Sequence, residues 1–386
     1  MWPIRLSLHW KTGLDKSPQR GQEDRRKPLS RFSSCPLVLL VKNAAAILLL
    51  PFLLAACGNR DEVYRQESFV FGTRVEISIF GAKTAKAEAA AAAVLVRFDQ
   101  LHRKLHAWQP SELGRLNAAF AAGARAPLDA ELASILQDAR AFSLQSGELF
   151  NPAVGNLIRL WGFHADLPQA AVPSDESIEA AVKAAPSMRD VHVENGEAFS
   201  DNPAVHIDLG GYAKGYALDE AEKILRRHGI HNALVNIGGN VMALGMRGER
   251  PWKVGIQHPR KTGVIATLEL RDGEAVGTSG DYQRYFEANG LRYCHLIDPR
   301  SGRPASGLQS VTVLASGSHA GTRSDVLSKP LFIAGPARLA EMAARAKLAG
   351  MLAVTADGEV LVTPDLLKRL QWSNPGQAFA APKTVR

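Results

Sequence analysis

The sequence predicts an α+β fold, a single compact domain with mixed or antiparallel sheets and flanking helices. Two observations support this prediction. Apolar residues recur at helical spacing in the first half of the chain, whereas short alternating runs joined by short turns dominate after residue 230. No internal repeat or long linker divides the sequence beyond residue 66, so we expect one folded unit over 67–386.

Four elements are predicted in the first half. Residues 69–79 alternate between apolar and polar side chains, which indicates a strand. Residues 84–105 place apolar side chains at helical spacing, and the alanine run at 89–93 favours the same helix. Asp129 and Ser174 are suitable N-caps for a second helix and for a third, shorter one.

The second half is predicted to begin with a strand at 205–209 that leads through a diglycine turn into a helix. That helix is expected to run through Leu225 and to end near Gly229, because glycine commonly terminates helices. Another helix is predicted near 336–347. The remaining strands are predicted at 233–237, 252–257, 264–270, 275–278, 291–297, 309–315, 351–355 and 359–363.

The N-terminal stretch has the pattern of an export signal. Residues 44–56 are apolar and uncharged but too short for a membrane span, which needs about 20 apolar residues. Cys57 follows Leu-Ala-Ala, which resembles the lipobox of bacterial lipoproteins, whose cysteine carries diacylglycerol. We therefore expect a lipoprotein leader at 1–57, lipidated at Cys57, then a tether at 58–66. The expected location is lipid-anchored to a bacterial membrane, facing the periplasm. An ordinary signal peptide or a buried helix is the alternative.

Charge and cysteine content narrow the class of protein. The predicted leader holds nine Lys/Arg and three Asp/Glu, so it accounts for most of the formal net charge of +8. The remaining chain is nearly neutral, and its composition does not indicate nucleic-acid binding. With Cys35 in the leader and Cys57 lipidated, Cys294 is left as a free thiol, so no intrachain disulfide is expected.

A glycine-rich segment at 206–219 has the residue types of a phosphate site. Glycines at a strand-to-helix turn let backbone N–H groups approach a phosphate, and Lys214 adds a positive charge. The segment matches neither the Rossmann nor the Walker pattern. A tight turn with a surface lysine is the ordinary structural explanation.

Three further segments carry polar residues with less specific patterns. Residues 235–240 contain a second diglycine after an apolar strand, which is equally well explained as a plain turn. Residues 278–282 and 295–302 bring a histidine and a turn signature together, although such a histidine is commonly structural. Residues 324–329 place an acid in an apolar stretch, where a helix cap is the alternative.

Taken in order, these segments resemble the ApbE family of FAD:protein FMN transferases over residues 68–363. The resemblance also includes Phe71-Gly72-Thr73 and the segments 111–117, 147–155 and 161–163. It implies a T-fold-related domain that uses FAD and a divalent cation, usually Mg²⁺. In that reaction a threonine or serine hydroxyl of an exported or membrane redox protein attacks the FMN phosphorus and AMP leaves. The implied partners are therefore FAD and an acceptor protein, besides the membrane.

The resemblance also implies roles for individual residues. The implied FAD contacts are Phe71, Trp108, Phe150, Asn151, Asp208, Lys214 and Leu296. The implied metal ligands are the Gly211 carbonyl and the Asp325 carboxylate, and Lys329 stands where the family has a threonine ligand. Either His295 or Asp325 is implied as acceptor of the hydroxyl proton, and the choice between them stays open.

Lys329 departs from the family pattern, because a charged ammonium cannot ligate a cation. Pro330 also removes a backbone donor and disfavours helix at Lys329. Three outcomes are open: Lys329 points away and water completes a Mg²⁺ site, its ammonium replaces part of the metal's charge, or transfer is lost. The last outcome corresponds to a non-catalytic FAD-binding lipoprotein. An FAD pyrophosphatase that uses water as nucleophile is a further alternative.

Overall fold

The computed structural model describes residues 62–165, 171–348, 350–373 and 383–385. The predicted leader and Cys57 lie outside the described residues. The described helices are α1 (Thr84–Lys104), α2 (Glu112–Ala121), α3 (Ala130–Gln145), α4 (Gly155–Leu160), α5 (Asp175–Lys183), α6 (Ala213–Arg227), α7 (Ala320–Ala334), α8 (Leu339–Arg345) and α9 (Pro364–Leu367), with 3₁₀ turns at Met188–Asp190 and Pro336–Arg338.

The strands confirm the α+β prediction. They are β1 (Val63–Val70), β2 (Thr73–Phe80), β3 (Ala126–Pro127), β4 (Val191–Glu194), β5 (Glu197–Ser200), β6 (Ala233–Ile237), β7 (Asn240–Leu244), β8 (Met246–Arg247), β9 (Arg250–Gln257), β10 (Val264–Leu270), β11 (Ala275–Gly280), β12 (Tyr285–Ala288), β13 (Leu291–Cys294), β14 (Ile297–Asp298), β15 (Arg303–Pro304), β16 (Leu308–Ala315), β17 (Gly350–Thr355), β18 (Val360–Val362), β19 (Leu370–Trp372) and β20 (Lys383–Thr384).

A nine-stranded sheet forms the centre of the fold. Its order is β1-β2-β6-β7-β11-β16-β17-β18-β20, antiparallel except for the parallel pair of β18 and β20. One face packs against helices, with Ile77 and Val235 in that core. The other face packs against a four-stranded sheet of order β19-β10-β9-β8, with Val276 and Leu352 between the two sheets. Every residue of β16 is buried, because this strand is covered on both faces.

The predicted strand at 69–79 is two strands, β1 and β2, joined by a tight turn. Val70 pairs with Thr73, so Phe71 and Gly72 form a two-residue loop. Both have positive φ, 56° and 68°, the conformation that two-residue hairpin loops favour. Because β1 begins at Val63, it also includes part of the stretch predicted as a tether.

The segment predicted as a strand at 205–209 does not join a sheet, so this prediction was wrong. Only an isolated bridge between His206 and Val154 is present there. The buried side chain of Asn117 replaces a strand partner: its Oδ1 accepts from Ile207 N at 2.7 Å, and its Nδ2 donates to Ile207 O at 2.9 Å. A side-chain amide thus satisfies backbone groups that a ladder would otherwise pair.

Helix caps were predicted more reliably than helix number. Asp129 Oδ1 accepts from Leu132 N at 2.8 Å, and Ser174 Oγ accepts from Ser177 N at 3.3 Å, which confirms both caps. Helix α2 was not predicted, although Ser111 caps it in the same way at 2.7 Å from Gly114 N. None of the described helices is long and apolar enough to cross a membrane.

Helix α7 is the largest difference from the sequence prediction. Nearly all its residues are buried, including Asp325, so it has no polar face and no amphipathic period to detect. It also continues through Pro330 to Ala334, whereas the proline was expected to disfavour helix at Lys329. An interior proline costs about 3 kcal/mol, and the burial of Leu331 and Phe332 beyond it offsets that cost.

Candidate functional site

The candidate site lies where helices α6 and α7 cross, beside the segment 205–211. Gly215 on α6 is buried against α7, and a Cβ there would lie 2.5 Å from Gly321 O and 2.7 Å from Asp325 Cβ. Glycine therefore permits the close helix crossing. It also brings Gly215 N within 2.9 Å of Asp325 Oδ2, to which it donates a hydrogen bond.

Asp219 caps helix α7 from helix α6. Its carboxylate accepts hydrogen bonds from Gly321 N at 2.8 Å, Thr322 N at 2.9 Å and Thr322 Oγ1 at 2.6 Å. An anion at a helix N-terminus satisfies free N–H groups and interacts favourably with the helix dipole. This contact holds the two site helices in register. Sequence reasoning missed it, because the cap comes from about one hundred residues away.

Lys329 is directed into the site. Its Nζ donates to Asp325 Oδ1 at 2.5 Å and to Asp325 O at 2.7 Å, and its side chain is only 12% exposed. The lysine stem passes over Gly211, where a Cβ would lie 2.9 Å from Lys329 Cε. The three residues predicted as a metal corner therefore do converge, but the ammonium lies among them.

Burial and the charge of the partner shift the pKa of each residue of the Lys329–Asp325 pair in opposite directions. Burial would raise the pKa of Asp325, but the ammonium groups of Lys329 and Lys214 and two hydrogen bonds outweigh it and lower that pKa. Burial lowers the pKa of Lys329, and its attraction to Asp325 partly offsets the effect. Asp325 is therefore ionised and held by its lysine.

Two serines support the helix beneath this pair. Ser328 Oγ donates to Asp325 O at 2.7 Å and shares a 2.7 Å hydrogen bond with Ser279 Oγ on β11. Gly277 on the same strand lets α7 approach, since a Cβ there would lie 2.5 Å from Ser324 O. The Asp325 backbone is thereby tied to the central sheet.

Trp108 and Asp208 lie on the other side of the diglycine turn. Trp108 Nε1 donates to Asp208 Oδ2 at 2.9 Å, and Asp208 Oδ1 accepts from Gly210 N at 2.8 Å. The indole stacks on His206 with ring centroids 4.4 Å apart. Lys214 Nζ donates to Gly210 O at 3.3 Å. A half-buried aromatic ring thus stands beside a carboxylate, a diglycine turn and a lysine.

His295 is positioned by the backbone. Its Nδ1 lies 3.1 Å from Arg284 O, and because a carbonyl only accepts, Nδ1 carries the hydrogen and Nε2 is left as an acceptor. Close packing, together with the charges of Arg284, Lys214 and Lys329, lowers the pKa of His295 well below its ordinary value. The imidazole is therefore neutral at physiological pH.

The remaining predicted contacts lie in or around the surrounding core. Phe71 packs edge-on against His102 and beside Phe98, with centroids 5.7 and 6.0 Å away. Phe150 is buried, and its Cε2 would be 3.4 Å from a Cβ at Gly211.

Asn151 Nδ2 donates a hydrogen bond to Pro186 O at 2.9 Å, and Leu296 is buried near α7. The structure does not bring Asn151 and Leu296 into hydrogen-bond contact with the Lys329–Asp325 pair.

The donor set does not fit the Mg²⁺ site that the resemblance implies. Magnesium requires several hard oxygen ligands in near-octahedral geometry. Of the three implied ligand positions, Lys329 supplies an ammonium and no oxygen, which leaves the Asp325 carboxylate and the Gly211 carbonyl. Both carboxylate oxygens and the carbonyl of Asp325 already accept hydrogen bonds. Of the three outcomes considered for Lys329, the one in which it points away is not observed.

The arrangement defines an α+β protein in which two lysines, a buried carboxylate and an aromatic ring lie around a diglycine turn. The sequence matches the ApbE family over residues 71–353. The chain belongs to the ApbE family. A crystallised ApbE protein from Thermotoga maritima has 32% identity and a TM-score of 0.73, over 80% of this chain and 99% of that one.

Relatives of known name are also similar over most of this chain. An FAD:protein FMN transferase from Rhodobacter capsulatus is 44% identical over 317 residues, which are 82% of this chain and 60% of that protein. One from Treponema pallidum is 34% identical over 73% of this chain and 82% of its own length. The match thus spans less than two thirds of the Rhodobacter capsulatus protein.

Proposed function

We propose that the chain is an FAD:protein FMN transferase that attaches FMN by a phosphoester bond to a threonine or serine of an exported or membrane redox protein. Membership of the ApbE family and the names of the relatives support this proposal. The main structural support is that two lysines, Lys214 and Lys329, lie close to Asp325. Trp108, which donates to Asp208, lies on the other side of the diglycine turn. These groups suit a ligand that combines an aromatic ring system with a pyrophosphate.

The proposed roles follow from the chemistry of each group. Trp108 offers a face for stacking, and its orientation is set by Asp208. Lys214 at the start of α6 and the diglycine turn attract the pyrophosphate, as helix N-termini attract anions. Lys329 adds a second positive charge, held in place by Asp325. Phe71 and Phe150 line the apolar surroundings of the nucleotide.

The reaction is a substitution at the FMN phosphorus. The acceptor hydroxyl oxygen forms the new P–O bond, the bond to the bridging pyrophosphate oxygen breaks, and its electron pair leaves with AMP. We assign the hydroxyl proton to His295 Nε2, because Nδ1 is engaged by Arg284 O. Both carboxylate oxygens of Asp325 already accept hydrogen bonds, so we assign Asp325 the role of positioning Lys329 and not that of the base.

Export and lipid anchoring through Cys57 are part of the proposal. Their support is the leader pattern at 1–57, which lies outside the described residues. Magnesium dependence is implied by the family resemblance only and is not part of this proposal.

The test uses the full chain in detergent, with FAD and an acceptor domain that carries a threonine flavinylation motif. Mass spectrometry should show the acceptor heavier by one FMN, and chromatography should show one AMP released per FMN attached. Release of AMP and FMN with an unmodified acceptor would instead identify a pyrophosphatase. Binding of intact FAD without either product would identify an FAD-binding lipoprotein.

A further inference from the structure

The Lys329 ammonium lies against the residue that the family resemblance implies as a metal ligand, Asp325. It contacts two oxygens of the same residue, Asp325 Oδ1 at 2.5 Å and Asp325 O at 2.7 Å. A carboxylate oxygen and a carbonyl oxygen on one helical turn are donors of the kind that hard cations use. Here an ammonium from the next turn of the same helix satisfies both.

The surroundings are shaped to admit this side chain. Gly211 leaves the space for the lysine stem, because a Cβ would lie 2.9 Å from Cε and 3.1 Å from Cδ of Lys329. Ser328 and Ser279 tie the carbonyl end of the pair to β11. With a side chain only 12% exposed, Lys329 is fixed in the site and not a mobile surface group.

A divalent cation would have to displace this ammonium. The second hydrogen-bond donor to the Asp325 carboxylate is Gly215 N, which lies 2.9 Å from Oδ2. Lys214 adds a further positive charge that acts on Asp325. The Asp325 carboxylate and the ammonium groups of Lys329 and Lys214 together carry a net positive charge. That charge repels a metal ion and attracts a phosphate.

We propose that Lys329 is a tethered cation that replaces the divalent metal at the FAD pyrophosphate, so that this chain binds FAD and transfers FMN without a divalent metal. The inference rests on the proposed function and specifies how its site is charged. When the pyrophosphate bond breaks, negative charge grows on the AMP oxygens. The Lys329 ammonium stabilises that charge while keeping its own proton.

The test measures FAD affinity of the full chain by quenching of flavin fluorescence, with EDTA and with MgCl₂. For the unchanged chain we expect the dissociation constant to differ less than about twofold between the two conditions. For Lys329→Thr we expect FAD binding in EDTA to weaken at least about tenfold, since a charge-assisted contact is lost. Magnesium should restore it. Mn²⁺ binding, read by electron paramagnetic resonance, should appear in Lys329→Thr and be weak in the unchanged chain.

Two variants serve as controls. Lys368→Thr makes the same change at a lysine that directly follows α9 and whose side chain is 74% exposed, and FAD binding of this variant should be unaffected by EDTA. Lys329→Arg keeps the charge and should keep metal-independent binding. Circular dichroism establishes that each variant is folded, and if Lys329→Thr does not fold, the arginine variant and the Mn²⁺ signal of the unchanged chain decide.

The outcomes separate this inference from the proposed function. FMN transfer that stops in EDTA, or tight Mn²⁺ binding by the unchanged chain, would overturn the tethered cation and leave the transferase intact. Metal-independent FAD binding without transfer to any acceptor would overturn the transferase and leave Lys329 as the charge partner of FAD. Absence of FAD binding under both conditions would overturn both.

Discussion

The Asp219 carboxylate on α6 accepts two hydrogen bonds from Thr322 on α7, one from its N–H and one from its hydroxyl. The same carboxylate accepts a third from Gly321 N. The helix that carries Asp325 and Lys329 is thus capped by the helix that carries Lys214. The stability of the site helices and the position of the charged groups therefore depend on one buried side chain.

Asp219→Asn should destabilise the fold. Asparagine keeps one acceptor oxygen but turns an NH₂ group toward donors on α7, which leaves a buried N–H unsatisfied. We expect the free energy of unfolding to fall by about 1–3 kcal/mol, measured by urea denaturation. Asp365→Asn is the matched control, since Asp365 is exposed and its carboxylate lies 2.9 Å from Lys368 Nζ. Equal stability of the two variants would contradict the capping role.

Trp108→Ala should weaken FAD binding more than Trp108→Phe. Phenylalanine keeps an aromatic face but removes the N–H donor to Asp208, whereas alanine removes both. Loss of stacking on one ring is worth about 1–3 kcal/mol, so alanine should weaken binding by about fivefold or more, read by flavin fluorescence. Trp372→Phe, on β19, should leave affinity unchanged. Similar affinities of Trp108→Ala and the unchanged chain would place the flavin nucleotide elsewhere.

His295→Ala should lower kcat by a factor of about 10² to 10⁴, the usual contribution of a general base. FAD affinity should change little, because the proposed partner of Nε2 is the acceptor hydroxyl. His231→Ala, at an exposed histidine, is the control. If His295→Ala has the same kcat as the unchanged chain, another group must act as the base.

The pH profile of transfer should lack a histidine inflection. Burial and nearby cations lower the folded pKa of His295, so the base form is already present above that lowered value. We expect kcat to stay level between about pH 5 and 8, measured by AMP release. A loss of activity centred near the ordinary histidine pKa would show that the ring is not shielded in this way.

Glu274 should contribute to stability only above acidic pH. It accepts two hydrogen bonds from Arg369, at 2.8 and 2.6 Å, and one from Arg271 N. Burial would raise its pKa, but these contacts lower it below the ordinary value of 4.5. A depressed folded pKa means that the stabilisation is present above 4.5 and is lost as pH falls through the folded pKa.

Glu274→Gln tests this dependence. The variant should be less stable than the unchanged chain at about pH 7, and the difference should shrink at about pH 3. Urea denaturation at both values measures it. A difference that is the same at both pH values would assign the effect to packing instead of charge.

Local sequence patterns were sufficient for much of the fold. Alternation identified β6, β10 and β16, and the caps at Asp129 and Ser174 were confirmed, because these signals involve neighbouring residues only. The site residues were named from a family resemblance, and the structure brings Gly211, Asp325 and Lys329 together. Asn117, Ser279 and Ser328 lie in segments that the resemblance includes, but no role was predicted for them, since the contacts of Asn117 with Ile207 and of Ser279 with Ser328 join distant parts of the chain.

The sequence by itself determined the α+β class, most strands of the nine-stranded sheet and the residue types of the site. Periodicity and capping act within a few residues, so they can be read along the chain. Only the tertiary structure decided that 205–209 stays outside the sheets, that α7 is a helix, and that Lys329 turns inward onto Asp325. Each of these depends on a partner from elsewhere in the chain or on burial from all sides, and neither leaves a periodic trace in the sequence.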